Sequence, residues 1–302
     1  MTDEIRLDGK VAIVTGGGRG MGRSMALALA AAGARVVAAD LVRENLDQVE
    51  REAGALANAG ALTGITGDIR KTQDCRRAID AALERFGGVD VLVNNAGLLP
   101  SYVYPGRFLD DAAPSRFWNV DDDIVQRVID TNYVAHDRMA RYAVPHMMAK
   151  RWGRIVNVTT RLTTMNRAGG SPYGASKAAL EMASEIWMKD LAGTGVTVNI
   201  LNPGAAVDTP GFATAEEKRV ATSSGRLHMM DPDNMRAPIV WLASHATDGI
   251  TGMRYNAAAW DATRPASEQA ALHGRPLGFE LKPKGNADAH GVREDRPAPF
   301  RG

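Results

Sequence analysis

Seven short runs of β-branched and other apolar residues recur along the chain, at 11–16, 35–40, 61–68, 89–97, 154–160, 196–204 and 252–260. Each is too short for a helix, and most are closed by Gly, Asp or Asn, the punctuation of a strand. Between most of them lie longer Ala-, Leu- and Met-rich stretches, at 21–32, 44–58, 71–86, 122–150, 173–192 and 232–247. Several have Asp or Thr near their start, and these stretches predict helices. Continuously apolar strands are covered on both faces, and right-handed strand–helix–strand crossovers put helices on both sides of a sheet. The pattern therefore predicts an α/β fold with a doubly wound, seven-stranded parallel sheet, occupying residues 1–261. After Trp260 the periodicity stops. Residues 262–302 are rich in Pro, Gly and charge and read as a C-terminal arm, either without fixed structure or laid against a partner subunit.

Composition narrows the function classes. The chain has 302 residues, 45% of them hydrophobic and 24% charged, enough to bury a full core. A formal net charge of +1 without any Lys/Arg block argues against nucleic-acid or anionic-membrane partners. The charged opening segment lacks a secretory signal, and no apolar run approaches the ~20 residues of a membrane span, so the expected location is cytoplasmic. Cys75 is the single cysteine, which rules out an intrachain disulfide and thiolate clusters. The six histidines show no metal-binding spacing, so no metal is expected. Small-molecule chemistry is what remains.

The first strand runs straight into the glycine-rich stretch 15–22 and then into an Ala/Leu helix, the setting in which a glycine cluster binds phosphate. Gly16, Gly20 and Gly22 allow a tight turn, close approach of the main chain to a pyrophosphate, and tight helix–strand packing. Gly18, Arg19 and Met21 complete the loop. Asp40 follows Gly22 by eighteen residues, at the tip of the second strand, where a carboxylate accepts hydrogen bonds from both hydroxyls of an adenine ribose. A 2′-phosphate about 4 Å from that carboxylate meets a repulsion of about 4 kcal/mol at an effective dielectric near 20, so Asp40 selects NAD over NADP. Arg19 and Arg43 are close enough in sequence to offer a phosphate a cation.

Tyr173 precedes Lys177 by one helical turn, so the phenol and the ammonium share a helix face. A tyrosine base for alcohol oxidation needs a lower pKa than its usual value of about 10. A cation about 4 Å away at that dielectric supplies roughly the 4 kcal/mol required for three units. A bound nicotinamide ring, positive in NAD, adds to the effect, and Lys177 has a donor for the nicotinamide ribose.

With the glycine loop, Asp68 after the third strand, Asn-Asn-Ala-Gly at 94–97, Asn132, Tyr-Gly-Ala-Ser-Lys at 173–177 and Asn-Pro-Gly at 202–204, residues 7 to about 261 strongly resemble the short-chain dehydrogenase/reductase family. The resemblance implies a single Rossmann domain, a homotetramer or homodimer, and hydride transfer between NAD(P) and a secondary alcohol or the matching ketone or aldehyde. It implies that Asp68 and Ile69 hold the adenine, that Asn94 braces the central strands, and that Asn95, Ala96 and Gly97 approach the cofactor. It also implies that Asn132 holds a water linking Lys177 to solvent. Thr160 stands where the family has serine, thirteen residues before the tyrosine. It keeps the hydroxyl, but its methyl stiffens χ1 and narrows the pocket. Thr159 should face the other side of the strand. Pro203 and Gly204 shape the turn beside the nicotinamide. Thr209 is the nearest match to a carboxamide-binding threonine, although it lies six residues after Pro203 where the family commonly has five.

The long connection 98–120 carries Tyr102, Tyr104, Phe108, Phe117 and Trp118, and the segment 205–230 carries Phe212, His228, Met229 and Met230. Together they are placed as walls of an apolar substrate pocket, with 205–230 as its lid, or as surface packed on the sheet or another subunit. Arg161 and Arg167 leave an anionic or polyhydroxylated substrate open. Two rivals stand beside the NAD-dependent alcohol dehydrogenase: an NADP-dependent 3-oxoacyl-thioester reductase of the same family, and a non-catalytic NAD-binding sensor or scaffold. Asp40 and the absent basic patch weigh against the first, and the complete Asn-Thr-Tyr-Lys set against the second.

Overall fold

The apolar runs become strands because each has two faces to bury, and β1, β4, β5 and β6 are buried along their whole length. In chain order the strands are β1 (Val11–Thr15), β2 (Arg35–Asp40), β3 (Leu62–Thr66), β4 (Val91–Asn94) and β5 (Gly153–Val158), then β6 (Val196–Asn202), β7 (Ala206–Val207), β8 (Met229–Met230), β9 (Met253–Asn256) and β10 (Arg275–Pro276). The structure, a computed structural model, describes residues 5–56, 60–109, 116–208, 214–223 and 229–279. The main sheet runs β10-β9-β6-β5-β4-β1-β2-β3, and its seven long strands are all parallel. An eighth strand was not expected: β10 pairs antiparallel with β9. Residues 262–279, read from the sequence as part of an arm, return to the domain as α11 (Ala266–His273) and β10, with Ala266 and Ala270 packed on the core.

Helices cover both faces. On one face α1 (Gly20–Ala31) and α10 (Arg236–Leu242) bury Met25, Leu29, Ile239, Trp241 and Leu242 against the sheet. On the other, α3 (Thr72–Phe86) and α6 (Ala135–Ala149) bury Ile79, Met139 and Met147, and α8 (Tyr173–Asp190) buries Leu180, with Leu191 buried just after its last turn. α2 (Arg43–Gly54) lies beside β3, and α4 (Pro100–Val103), α5 (Asp122–Ile129), α7 (Leu162–Met165) and α9 (Ala215–Ser223) belong to the connections above the sheet. Among the described residues no helix is long and apolar enough to cross a membrane.

The strand order fixes where a ligand goes. The chain winds outward through β1, β2 and β3, then returns so that β4 pairs with the other edge of β1. The loops after β1 and β4 therefore diverge, and the crevice between them lies at the carboxyl ends of the strands, where open α/β sheets bind ligands.

Candidate active site

The glycine loop is built for close backbone approach. Gly16 and Gly20 have φ of +64° and +55°, in the left-handed region that glycine occupies without strain. A Cβ on Gly22 would sit 2.0 Å from the carbonyl oxygen of Gly16, so only glycine lets α1 start against the end of β1. The first turn of α1 carries no acidic residue and no side-chain cap, which leaves its positive end open toward the crevice. From β4, Asn95 Nδ2 donates to the carbonyls of Thr15 (2.9 Å) and Gly16 (3.3 Å), while Thr15 Oγ1 accepts the N–H groups of Asn95 and Ala96. Asp40 Oδ2 accepts the N–H of Gly18 at 3.0 Å and Oδ1 that of Val42 at 3.2 Å, so its carboxylate is fixed over the loop. These residues fit the pyrophosphate and adenosine half of a dinucleotide.

A cleft of about 600 Å³ joins this loop to the tyrosine. Of the residues singled out from the sequence, Gly16, Arg19, Gly20, Met21, Gly22, Asp40, Asp68, Ile69, Asn95, Ala96, Gly97, Thr160, Tyr173, Lys177 and Pro203 line it. Gly18 lies behind Asp40, Asn132 lies behind Gly97, and Gly204 is held at φ +76° against Asn256. Thr209, Phe212 and His228 lie outside the described residues. The Asp68 carboxylate is occupied by Arg70, with contacts of 2.6–3.0 Å that hold it below the usual carboxylate range. Any adenine contact by Asp68 must share that carboxylate. Arg43 is turned away from the cleft, bonded to Asp47, Glu50 and the carbonyl of Gly64, so it does not offer the cation the sequence allowed for a 2′-phosphate.

Tyr173 opens α8 and is 7% exposed, and its neighbour Gly174 is needed because a Cβ there would meet the Met165 carbonyl at 2.3 Å. Burial pushes the phenol pKa up, opposed by a hydrogen bond with Thr160 and by the charge of Arg167. Lys177, 4% exposed, donates from Nζ to the Val158 carbonyl at 2.9 Å, and burial lowers its pKa to about 8. Helical spacing puts both groups on one face, and Lys177 spends one of its donors on the end of β5.

Asn132 is tied into the protein on two sides. It sits in a π-helical turn (Asp130–Val134), fully buried, and its amide is spent inside the protein. Oδ1 accepts the Leu98 N–H at 2.8 Å, while Nδ2 donates to the Leu98 carbonyl at 3.1 Å and to Ser176 Oγ at 3.0 Å. The amide therefore pins the β4 loop to α8, with both Nδ2 protons used and one lone pair of Oδ1 left over. One turn later, His136 is fully buried with neither ring nitrogen in a well-aligned hydrogen bond, although the backbone of Ala96 and Asn132 lies against the ring. Burial, helped by Lys177, lowers its pKa to about 3. As pH falls below about 6.5 only the unfolded chain protonates this ring, so the stability it allows at neutral pH is lost toward pH 3. Between pH 7.5 and 5 the loss from this residue is about 2 kcal/mol. Urea unfolding of His136→Leu should show that much less acid destabilisation than wild type, and equal losses would refute the assignment.

The substrate side is mixed. Tyr102 and Phe108 line the cleft, and Tyr104 donates to the Ser171 carbonyl at 3.0 Å. Phe117 and Trp118 pack edge to face on each other, each 67% exposed, and do not line it. The aromatic wall read from the sequence is thus only partly formed. β7 and β8 tie the two ends of the proposed lid. Arg161 and Arg167 line the cleft as foreseen; Arg127 and Thr131 also do and were missed. Their signal was an i, i+4 spacing beside Asn132.

A doubly wound sheet with a glycine-loop cleft leading to a buried tyrosine and lysine and a half-buried threonine defines an α/β dinucleotide-dependent oxidoreductase class. The chain matches the short chain dehydrogenase family model over residues 10–220 and belongs to that family. It is 31% identical over 251 residues to the 3-oxoacyl-acyl-carrier-protein reductase FabG of Thermotoga maritima, covering 82% of this chain and 96% of that one. It is also 31% identical over 285 residues to fluoren-9-ol dehydrogenase of Terrabacter sp., covering 89% of this chain and 76% of the relative. A crystal structure described as an NAD(P)-dependent gluconate 5-dehydrogenase of Beutenbergia cavernae, with bound NADP, superposes with a TM-score of 0.70 at 28% identity, covering 84% of this chain and 97% of that one.

Proposed function

We propose that this protein is an NAD-dependent oxidoreductase that interconverts a secondary alcohol and a ketone or aldehyde. The observation that carries the reading is the convergence of Thr160, Tyr173 and Lys177 on one wall of the cleft that begins at the glycine loop and Asp40. The glycine loop, Asp40, Asp68, Ile69, Asn95, Ala96, Gly97, Pro203 and Gly204 would hold the dinucleotide, with Thr209 as a further contact. Bound NAD supplies the hydride acceptor, and its reduced form the hydride donor. The Thr160 hydroxyl holds the substrate oxygen, and Tyr173 takes the alcohol proton as base or returns it as acid. Lys177 spends one donor on Val158 and keeps two for the nicotinamide ribose. Asn132 acts by holding Leu98 and Ser176 in place, and Ser176 in turn donates to the Tyr173 carbonyl at 2.7 Å. Met182 and Ile186, one turn apart on α8 and exposed, form an apolar stripe suited to a homodimer or homotetramer.

A second reading, an NADP-dependent 3-oxoacyl-thioester reductase, is favoured by the similarity to FabG. One experiment separates the two: reduction of NAD or NADP across secondary alcohols, cyclic diols, sugars and hydroxysteroids, run beside oxidation of NADPH with a 3-oxoacyl thioester. The expected result is NADH production from at least one alcohol at higher kcat/KM than any NADPH-linked thioester reduction. Turnover only with NADPH and the thioester selects the second reading, and neither dinucleotide binding nor turnover refutes both.

A further inference from the structure

The face of α8 that carries Tyr173 and Lys177 carries a third polar residue one turn further on, Glu181, which has no part in the chemistry above. Its side chain is fully buried, and burial raises its pKa. Glu181 Oε2 accepts from Thr159 Oγ1 at 3.2 Å. Glu181 Oε1 lies 3.1 Å from Arg254 Nε, an ion contact without straight hydrogen-bond alignment. Arg254 belongs to β9, two strands away from β5, and its Nη2 donates to the Thr160 carbonyl at 2.9 Å. That carbonyl needs a donor from outside the sheet. The β5–β6 ladder ends at the pair Val158 and Leu201, so Thr159 and Thr160 lie beyond it. The C-terminal segment closes the arrangement: Arg275 of β10 pairs with Arg254, and the Gly278 backbone lies against the Glu181 carboxylate.

We infer that Arg254 and Glu181 are positioning residues for Thr160, a buried clamp that holds residues 159 and 160 so that the Thr160 hydroxyl meets Tyr173, and that residues 275–278 lock the clamp. The guanidinium fork suits this role because it reaches the carbonyl and the carboxylate at once, which a single ammonium does less well. Thr160 is the member of the set that acts on Tyr173, so the clamp acts through it. The inference rests on the catalytic reading of Thr160 and Tyr173, and the test keeps the two apart.

The variants are Arg254→Lys, which keeps the buried cation but loses the fork, and the double variant Arg254→Met with Glu181→Met, which leaves no unpaired buried charge if the first does not fold. Each is compared with wild type, Thr160→Ala, and Arg254→Lys in the Thr160→Ala background. Arg254→Lys should lower kcat by roughly 10- to 100-fold with KM for the dinucleotide nearly unchanged, the scale expected when a reacting group is misplaced by about an ångström. The hydrogen bond with Thr160 lowers the tyrosine pKa, and Arg167 and Lys177, the other charged groups around Tyr173, are untouched. The rising limb of the oxidation pH profile should therefore move to higher pH. Hydrogen exchange without ligand should quicken at residues 159–163. In the Thr160→Ala background the same substitution should have no further effect on kcat. An unshifted pH limb in a folded variant, or an equal loss of kcat with and without Thr160, overturns the clamp. If Tyr173→Phe leaves turnover intact, it is the catalytic reading that fails, whatever Arg254 does.

Discussion

Tyr173→Phe is expected to lower turnover by about 10²- to 10⁴-fold while dinucleotide binding persists, the range lost when a positioned general acid–base is removed. The substitution deletes one oxygen and leaves the packing intact, because the ring sits in an apolar cluster with Val103 and Val128 that phenylalanine fills equally well. The phenol's hydrogen-bond partner is Thr160, whose hydroxyl remains able to bond the substrate. Binding followed by NADH fluorescence should thus match wild type while kcat collapses. Since burial raises the tyrosine pKa, the protein before cofactor binding holds Tyr173 protonated at neutral pH. A positive nicotinamide ring would add to the charge of Arg167 in favouring the phenolate, which couples base strength to the oxidised cofactor. Turnover that survives the substitution would remove the mechanism.

Asp40→Ala is expected to abolish most of the discrimination between NAD and NADP. The carboxylate is fixed by the N–H groups of Gly18 and Val42, and a 2′-phosphate about 4 Å from it faces about 4 kcal/mol of repulsion, close to a thousandfold in kcat/KM. Arg43, the nearby cation that might have offset this, is bonded to Asp47 and Glu50. The same change frees the Gly18 and Val42 N–H groups, so KM for NAD should rise as well. Asp40→Asn, which keeps one acceptor for the loop, separates loss of charge from loss of loop order. Matched assays in which wild type already prefers NADP would refute the argument, and the low-occupancy NADP in the similar Beutenbergia cavernae structure makes that comparison pointed.

The seven parallel strands, their covering helices and the glycine loop were legible in the sequence, because burial on both faces leaves an uninterrupted apolar run and a phosphate turn leaves closely spaced glycines. The tip position of Asp40 and the shared face of Tyr173 and Lys177 followed from strand and helix periodicity alone. What periodicity does not carry is which polar atoms close on which. The sequence could not show that Lys177 would spend a donor on Val158, that the Asn132 amide would bond Leu98 and Ser176, or that Arg70 would take the Asp68 carboxylate. Nor could it place β10 beside β9 or carry Arg254 across two strands to the Thr160 carbonyl. Local spacing determines the face on which a side chain emerges, whereas its partner is set by elements far away in the chain. Only the folded sheet brings those elements within the three ångströms over which a hydrogen bond acts.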